Sequence, residues 1–446
     1  MKSIWNETVT MEKRNSLKGE IEAEVAVIGA GLSGILTAYF LTQRGMKVVV
    51  LEADRIGSGQ TRGTTAKITS QHNIRYHDLI GAYGMEMAKH YAGFHEWAIG
   101  AYERLIREKN IECNFVRCSA NLYSCTEEET LKREAKAACA LGIQASYKTE
   151  CELPVQVKGV LEFCNQAKFH PLKFLKGIAS DLMIYEETLV GQVQSGESGK
   201  SKVIAEHGTV LADKVVFACH FPFVNVPGYY FARMYQSRSY VLALEHAGQF
   251  KDYYLGIDQD GYSFRNEGDI LLFGGGGHRT GENECGGKYR MLSEKAEEFW
   301  PGCREILRWS AQDCVTLDGI PYIGQYSRRR ENWYVATGFG KWGMTSSMVS
   351  ARILSSLIAG IHLSEADIFS PQRKLASFPV RELSKNGAVT VKNLVSPKDA
   401  RRCPHMGCKL SFNPDEGSWE CPCHGSEFDK EGRLLNNPAV RPSVKE

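Results

Sequence analysis

The hydrophobic pattern near the N-terminus changes from strand-like to helix-like and back to strand-like. Residues 25–28 form an apolar, β-branched run, apolar positions then recur with helical spacing over residues 32–44, and residues 48–51 form a second apolar run. Between the first run and the helix lies Gly29-Ala30-Gly31-Leu32-Ser33-Gly34. This pattern predicts a βαβ unit with a G-x-G-x-x-G turn, in which the N–H groups at the start of the helix bind a pyrophosphate.

A single carboxylate narrows the choice of dinucleotide. Glu52 directly follows the second apolar run, where a carboxylate accepts hydrogen bonds from an adenosine ribose and repels a 2′-phosphate. We therefore expect an unphosphorylated dinucleotide, FAD or NAD. The next segment, residues 57–67, is rich in glycine and hydroxyl side chains. Such a segment can surround a phosphate or a ring system, although a solvated connection has the same composition.

Later segments predict amphipathic helices and a second group of strands. The helical pattern covers residues 85–109 and 127–140. Short β-like runs cover residues 153–163, 240–244, 262–264 and 270–273. They predict a second sheet that is inserted between pieces of the dinucleotide domain.

Two later runs return the chain to the first domain. Residues 215–218 are all apolar and suit a parallel strand that is buried on both faces, and residues 333–337 form a final return. The second run is followed by Gly338-Phe339-Gly340-Lys341-Trp342-Gly343 and a helix to residue 359, but no strand ending in an acid comes after it, so we do not expect an NAD site here. The segment instead directs a helix N-terminus and the Lys341 charge at an electron-rich part of a cofactor, unless Lys341 is a solvated lysine.

Composition limits the class of protein. The 446 residues are 43% hydrophobic and carry a formal net charge of +2, which gives no reason to expect nucleic acid or an anionic membrane as a partner. Residues 1–24 lack the apolar core of a signal peptide, and the apolar stretch 344–363 is interrupted by serines and Arg352, so we expect a buried helix and no integral membrane segment. Ten of the 14 cysteines are scattered singly, as in a reducing cytoplasm.

Four segments together carry a family resemblance. The G-x-G-x-x-G turn with Glu52, residues 57–67, residues 309–324 and the return at residues 336–345 resemble the D-amino-acid-oxidase-like FAD-dependent oxidoreductases, over roughly residues 20–370. The resemblance implies an α/β fold with a discontinuous, Rossmann-like FAD-binding domain and a mixed-sheet substrate domain. It also implies oxidation of an amine, an amino acid or a hydroxy compound by hydride transfer to FAD.

The resemblance also names candidate site residues. The residues expected at the FAD are Gly29, Ala30, Gly31, Leu32, Ser33, Gly34, Glu52, Ala53, Gly59, Thr61, Thr65, Val190, Gly338, Gly343, Met344 and Thr345. The amino-acid enzymes of this family hold a substrate carboxylate with an arginine, but no motif selects among Arg233, Arg238 and Arg279. The further catalytic candidates are Lys341, His170 and His278, although such histidines are more often structural.

The predicted domains follow from these patterns. We expect an N-terminal arm at residues 1–24 and an FAD-dependent oxidoreductase at residues 25–370, followed by a linker at residues 371–385 and a small domain at residues 386–446. The FAD-binding pieces are expected at about residues 25–80, 180–222 and 315–365, and the substrate domain mainly at residues 85–175 and 223–310.

The last four cysteines form two boxes with histidines. The boxes are Cys403-Pro404-His405-Met406-Gly407-Cys408 and Cys421-Pro422-Cys423-His424-Gly425-Ser426. One cysteine and one histidine from each box would supply the His₂ and Cys₂ ligands of a mixed-ligand [2Fe–2S] cluster. Zinc is the rival, but zinc modules usually space their ligands C-x₂₋₄-C, and C-x-H is not such a hairpin.

The boxes resemble the Rieske proteins of quinol-oxidising complexes, which implies a small all-β domain. By that resemblance Cys403, His405, Cys421 and His424 are the cluster ligands, Cys408 and Cys423 form a disulfide, and Ser426 donates a hydrogen bond to the cluster. Phe428 stands where those proteins have a tyrosine, and one donor fewer should lower the potential. With two thiolates the oxidised centre is neutral and accepts an electron readily.

A flavin and a one-electron cluster in one chain suggest an electron path. The leading hypothesis is an FAD-dependent dehydrogenase whose electrons leave singly through the cluster to an acceptor protein or a quinone. The alternatives are a flavin reductase fed by the cluster, or a non-catalytic redox sensor or electron-transfer protein. A Rieske oxygenase is disfavoured because the chain shows no 2-His-1-carboxylate iron site.

Overall fold

The computed structural model describes residues 2–196, 199–375, 380–395 and 400–443. Its helices are α1 (Ile4–Glu7), α2 (Leu32–Thr42), α3 (Gln60–Gly63), α4 (Tyr76–Glu108), α5 (Glu128–Ala140), α6 (Pro171–Ala179), α7 (Tyr230–Arg233), α8 (Lys288–Phe299), α9 (Gly343–Ile358) and α10 (Val380–Leu394), with a 3₁₀ helix at Ser364–Phe369.

The strands of the described chain fall into three sheets. They are β1 (Gly19–Ile28), β2 (Val48–Leu51), β3 (Lys67–Ile68), β4 (Val116–Ser124), β5 (Ala145–Lys148), β6 (Gly159–Lys168), β7 (Ile184–Tyr185), β8 (Val190–Ser195), β9 (Ser201–Ala205), β10 (Gly208–Phe217), β11 (Met234–Glu245), β12 (Tyr253–Gly256), β13 (Ser263–Glu267), β14 (Ile270–Arg279), β15 (Arg304–Thr316), β16 (Tyr322–Ser327), β17 (Arg330–Thr337), β18 (Ser411–Asn413), β19 (Ser418–Glu420), β20 (Glu427–Phe428) and β21 (Leu434–Asn436).

The first sheet is the predicted dinucleotide-binding sheet. Its order is β16-β17-β10-β1-β2-β7, and β1 pairs in parallel with both β2 and β10 while β10 pairs in parallel with β17. Val25, Val27, Val48 and Val50 point into the core, where α2 and α9 pack against each other. The parallel strand predicted at residues 215–218 is thus confirmed up to Phe217, and residues 333–337 return to the same sheet beside it.

The second sheet is mixed and comes from the inserted segments. Its order is β15-β11-β14-β13-β12-β4-β6-β3, with β5 on β6, and all its pairs are antiparallel except β12 with β4. The helix predicted at residues 85–109 begins earlier, at Tyr76, and Gly84 interrupts it with non-helical torsion angles (φ 83°, ψ 167°). This arrangement confirms the predicted fold class, an α/β protein with an inserted mixed sheet.

The third sheet, β18-β19-β20-β21, is small and antiparallel, as expected for the C-terminal all-β domain. Two predicted boundaries differ from the structure. The arm at residues 1–24 includes the first part of β1, and its Trp5 is fully buried, with the indole N–H donating to the carbonyl of Thr64. The segment predicted as a linker runs into α10, because apolar residues recur with helical spacing from Val380 onward and form an amphipathic helix.

No helix among the described residues is long and apolar enough to cross a membrane. The 344–363 stretch is instead α9 and the turn after it, and nearly all of the α9 side chains are buried in the core.

Candidate active site and iron–sulfur centre

A cavity of about 1610 Å³ lies between the first and second sheets. Its walls include the residues that follow the carboxyl ends of β1, β2, β10 and β17, which is where open parallel sheets bind nucleotides. The volume exceeds the usual range for one small-molecule pocket, about 300–1,000 Å³, so the cavity has room for a large cofactor together with a substrate.

The glycines of the first turn allow close packing and leave space at the start of α2. A Cβ atom on Gly34 would lie 1.9 Å from the Gly29 carbonyl oxygen, and Gly29 itself has φ +106°. A Cβ atom on Gly31 would meet only the Thr61 hydroxyl, at 3.4 Å, and would otherwise enter the cavity. The Thr61 hydroxyl also accepts a hydrogen bond from the Leu32 N–H (3.1 Å). Gly31 and Thr61 therefore form a cradle that suits a pyrophosphate.

Glu52 lies where the sequence predicts it, at the end of β2 on the cavity wall. Its carboxylate accepts hydrogen bonds from the backbone N–H groups of Ala30 (2.6 Å) and Asp54 (3.0 Å). Burial raises the pKa of Glu52, against the opposing effect of these two hydrogen bonds. The oxygens retain lone pairs for a ribose hydroxyl.

Most residues predicted at the FAD line this cavity. Those that do are Gly29, Gly31, Leu32, Ser33, Glu52, Ala53, Gly59, Thr61, Thr65, Val190, Gly338, Gly343 and Met344. Ala30, Gly34 and Thr345 are not among its lining residues, and the Thr345 hydroxyl donates to the Thr69 carbonyl (2.9 Å). Arg62, which sequence reasoning did not single out, lines the cavity with its buried Nε lacking a partner in the described chain. The cradle and this unpaired donor fit FAD.

The second sheet lines one side of the cavity, which we call the substrate side. This side carries a buried lysine that the sequence did not distinguish from a solvated one. Lys67, at the start of β3, lines the cavity, and its ammonium donates to the Ser263 hydroxyl. Burial, followed by the positive charges of Arg265 and Lys341, lowers the pKa of Lys67 to about 7. No carboxylate among the described residues lies within ion-pair distance of Lys67. A lysine within a hydroxyl-rich loop has no sequence signal that separates it from a solvated one.

Lys341 also lines the cavity, as predicted. It has a left-handed backbone conformation (φ +77°) between β17 and α9, and its N–H donates to the Asp313 carboxylate. Burial raises the pKa of Asp313 to about 6, and Lys341 opposes this shift. Strand β15 therefore anchors the loop that carries Lys341.

The two candidate histidines lie in different places relative to the cavity. His170 caps α6 by accepting from the Lys173 N–H (3.2 Å), and its other nitrogen contacts the Thr8 hydroxyl (2.7 Å). It does not line the cavity, so the structure places it apart from the other candidates, and its catalytic role stays a prediction. His278 does line the cavity, with its Nε2 at 3.0 Å from the Tyr240 hydroxyl.

The three candidate arginines are all engaged by the protein itself. Arg233 donates to the Pro371 carbonyl and stacks on the Tyr322 ring at 4.2 Å. Arg279 lines the cavity but donates to the Pro422 carbonyl (3.2 Å) and to Asn386.

Arg238 is the most deeply buried of the three arginines, and it is paired with carboxylates. Its side chain is 0% exposed and lies 2.8 Å from the Glu420 carboxylate, 2.9 Å from that of Glu427 and 3.8 Å from that of Glu416. Burial alone would lower the pKa of Arg238, but these carboxylates outweigh it and raise the pKa. We call these four residues the ion cluster, and they join β11 to the small domain.

Two short loops of similar shape hold the predicted cluster ligands. In the first the Gly407 N–H donates to the Cys403 carbonyl (2.8 Å), and in the second the Gly425 N–H donates to the Cys421 carbonyl (2.8 Å). The His405 and His424 rings are adjacent and perpendicular, with centroids 5.0 Å apart.

The chemistry of the four ligands fits an iron–sulfur cluster. The Nδ1 atoms of His405 and His424 are buried and have no partner in the described chain, as expected for atoms that ligate a metal. Burial lowers the pKa of His405 to about 4 and that of His424 to about 3, so both imidazoles are neutral and able to bind iron. The thiols of Cys403 and Cys421 contact each other, and Ser426 hydrogen-bonds Cys403. Those four residues would hold the cluster, and Ser426 is close enough to act on it.

The sulfurs of Cys408, Cys421 and Cys423 lie within 4.8 Å of one another. Cys408 and Cys423 are thus neighbours, although all three thiols are unbonded in this structure. The disulfide between Cys408 and Cys423 stays a prediction.

The second cluster loop packs on β11 and β15, on the face of these strands opposite to the one that lines the cavity. Gln236 donates to the His424 carbonyl (2.7 Å), and Gln312 donates to the Gly425 carbonyl (2.6 Å). The Gln312 N–H in turn donates to the side chain of Gln60, which lines the cavity. Neither Gln236 nor Gln312 belongs to a recognisable motif, so the sequence could not identify them.

Comparison with known proteins agrees with this arrangement. Residues 24–357 match the family model of the FAD dependent oxidoreductases (DAO), and residues 399–445 match that of the Rieske [2Fe-2S] domain. The chain is 32% identical over 492 aligned residues to YhfW of Bacillus subtilis strain 168, which is named as a Rieske 2Fe-2S iron-sulfur protein, covering 99% of this chain and 96% of that one.

Two further relatives match the larger domain. Gamma-glutamylputrescine oxidoreductase of Escherichia coli K12 is 23% identical, over 82% of this chain and 89% of its own length. The crystal structure of glycine oxidase from Geobacillus kaustophilus superposes with a TM-score of 0.67 at 18% identity, covering 79% of this chain and 99% of that chain. The chain therefore belongs to the FAD-dependent oxidoreductases, with FAD as its flavin cofactor, and joins that fold to a Rieske [2Fe–2S] domain.

Proposed function

We propose that this protein oxidises a small amine, amino acid or hydroxy compound by hydride transfer to FAD, and that the electrons then leave singly through the Rieske cluster. The proposal depends on one observation, which is the position of the second cluster loop beside the cavity. Gln236 and Gln312 hold the backbone of His424 and Gly425 on strands β11 and β15, and the opposite face of these two strands lines the FAD cavity. A one-electron centre in that position is a natural outlet for a two-electron carrier.

The form of the cavity supports catalysis over a sensor role. Gln259 and Asp260 line the cavity and are exposed, so the cavity reaches solvent. Its substrate side also presents polar and charged groups, including Lys67, Lys341 and His278. A sealed, apolar cavity would instead favour a sensor, which has no substrate to admit.

The substrate class rests on the relatives and on the chemistry of the cavity. Gamma-glutamylputrescine oxidoreductase and glycine oxidase bear the names of an amine and an amino acid. The binding of a carboxylate would here depend on Lys67, because Arg233, Arg238 and Arg279 all have partners within the protein.

The test is anaerobic reduction with a panel of amines, amino acids and hydroxy acids. We expect one of them to bleach the flavin absorbance, and the cluster signal in electron paramagnetic resonance then to appear with the low average g-value of mixed cysteine and histidine ligation. A flavin that no member of the panel bleaches would contradict the dehydrogenase role. A bleached flavin beside a cluster that stays oxidised would contradict the electron path.

A further inference from the structure

The two cluster loops differ in their access to solvent. Residues 421–426 are all buried, whereas Pro404, His405, Met406 and Gly407 are half-buried. Among the described residues, the first loop is thus the side on which the cluster approaches the surface. If the second loop receives electrons from the cavity, the first loop is where they can leave.

The surface around the first loop is unusually apolar. Five of the eleven exposed large hydrophobic side chains in the described chain surround it: Val226 (59% exposed), Tyr229 (49%), Val391 (61%), Leu394 (41%) and Val395 (80%). Exposed apolar side chains gathered in one place mark an interaction site. We call residues 225–229, 391–395 and 404–407 the outlet surface.

Direct contacts join the three parts of the outlet surface. The Nε2 atom of His405 lies 2.7 Å from the Asn225 side-chain oxygen. The Arg402 guanidinium donates to the Gly407 carbonyl (2.7 Å) and to the Leu394 carbonyl (3.5 Å), so it links the first loop to residues 391–395. The three segments therefore present one continuous face with a cluster ligand at its centre.

The charge of these segments together with their flanking residues is positive. Residues 221–233, 383–395 and 400–410 contain six lysines and arginines and no aspartate or glutamate. The whole chain has a formal net charge of only +2, so the rest of it is net negative. The positive field is thus concentrated where the cluster is accessible, and it would attract an acidic partner.

A small protein fits this surface better than a membrane does. Helix α10 and the residue after it expose Val391, Leu394 and Val395, but the helix has no tryptophan or phenylalanine that could anchor it among lipid headgroups. A small apolar centre with a charged rim is instead typical of transient electron-transfer contacts, which bury less than about 1,200 Å².

We propose that the outlet surface docks an acidic one-electron carrier protein. This inference rests on the proposed role of the cluster as electron outlet. In each encounter one electron passes from the reduced cluster to the oxidised centre of the carrier. In each encounter the cluster is oxidised by one electron, the carrier is reduced by one, and no covalent bond forms or breaks. Two encounters remove the two electrons of one hydride, whose proton is released to solvent.

The test compares two forms of one carrier. Native cytochrome c is basic, and succinylated cytochrome c has the same haem with its lysines converted to acids. With the cluster reduced beforehand by dithionite and the excess removed, we expect the succinylated form to be reduced at least about tenfold faster at low salt, and this advantage to disappear at high salt.

Charge-reversal variants locate the docking site. Lys385 and Lys392 lie seven residues apart on α10, hence on one face of the helix, and both are exposed. Lys385→Glu and Lys392→Glu should each slow reduction of the succinylated form several-fold. Lys136→Glu, at an exposed position on α5, is the matched control and should leave the rate unchanged.

Three results would overturn the proposal: faster reduction of native cytochrome c, a rate that does not depend on salt, or equal effects of all three variants. Flotation of the protein with anionic phospholipid vesicles, lost in Lys392→Glu, would instead assign the surface to a membrane. Because dithionite supplies the electrons, these results do not depend on the oxidation of a substrate. Failure of the proposed function would show separately, as a cluster that substrate does not reduce.

Discussion

At the scale of single residues, the FAD site depends on Gly31 having no side chain. Gly31 has an ordinary backbone conformation (φ −73°), so it is not required for the turn itself. The space beside it, bounded by the Thr61 hydroxyl, is what a pyrophosphate needs. A protein with a larger residue at this position would still fold, but the added side chain would occupy that space.

We therefore expect Gly31→Val to purify folded and without stoichiometric FAD. The measurement is the ratio of flavin absorbance to protein, with circular dichroism to check the fold. Gly81→Val is the control, because Gly81 is an exposed position of α4 where an added Cβ atom would have nothing within 4 Å, and this variant should keep its flavin. A Gly31→Val protein with full flavin would remove the first turn from the FAD site.

Lys67 provides a pH-dependent prediction. Protonated Lys67 attracts an anion into the cavity, and its pKa is lowered to about 7 by burial. The affinity for a small carboxylate such as acetate should therefore be high below pH 7 and fall above it, approaching about tenfold per pH unit if only the ammonium form binds.

Acetate titrations that follow the flavin absorbance, from pH 6 to pH 9, measure this dependence. Lys67→Met should bind acetate weakly and without the transition near pH 7. Lys67→Arg should bind it throughout the range, because a guanidinium stays charged. A transition that persists in Lys67→Met would assign it to another group.

At the scale of elements, the two cluster loops divide four cysteines between two roles. The structure brings Cys403 and Cys421 into contact and places Cys408 and Cys423 beside Cys421. The resemblance to Rieske proteins assigns Cys403 and Cys421 to iron and the other two to a disulfide. Substitution can separate these roles, because a lost ligand removes the metal while a lost disulfide weakens the fold.

Cys421→Ser should lose its iron and its electron paramagnetic resonance signal, whereas Cys423→Ser should keep both. The disulfide closes a loop of about 15 residues, for which its removal costs roughly 3 kcal/mol, so Cys423→Ser should unfold at a lower temperature. Iron analysis and thermal unfolding measure the two effects. Iron loss in both variants to the same extent would mean that Cys423 is a ligand.

At the scale of the whole molecule, the ion cluster fixes the Rieske domain to the oxidoreductase. Arg238 comes from β11 of the second sheet, while Glu416, Glu420 and Glu427 come from the small domain. Burial raises the pKa of Glu416 and Glu420, and Arg238 opposes both shifts. The domain is therefore held by one buried cation that neutralises several buried carboxylates.

Arg238→Met should lower the free energy of unfolding by about 3–5 kcal/mol, because it leaves buried carboxylates without a counter-charge. Arg117→Met is the matched control: Arg117 pairs with Glu103 at 2.6 Å on the surface, where such a pair contributes only about 0–1 kcal/mol.

The loss in the free energy of unfolding of Arg238→Met should also depend on pH. Without Arg238 the pKa values of Glu416 and Glu420 rise further, and the pKa of Glu427, which Arg238 helps to lower, rises as well. An acid with a raised pKa costs stability as the pH increases above its unfolded value. The difference between Arg238→Met and the wild type should therefore shrink as the pH falls towards about 4.3. Denaturant unfolding at several pH values measures it, and a deficit that does not change with pH would contradict unpaired carboxylates as its cause.

The sequence alone determined the features that depend on neighbouring residues. The first turn with Glu52, the parallel strands that close the first domain, and the two boxes of cluster ligands are all contiguous patterns, and each has a chemical reason at a fixed spacing. The fold class, the FAD and the [2Fe–2S] cluster followed from them and are confirmed.

Only the tertiary structure decided the features that join distant segments. Arg238 lies near Glu420 in space but far from it in sequence, so no local pattern could show that this arginine is unavailable to a substrate. His170 became a helix cap, Lys67 became a buried cation in the cavity, and Gln236 became a support for His424 for the same reason. Burial and partner choice depend on how the sheets and the small domain pack together, and that packing is a property of the whole fold.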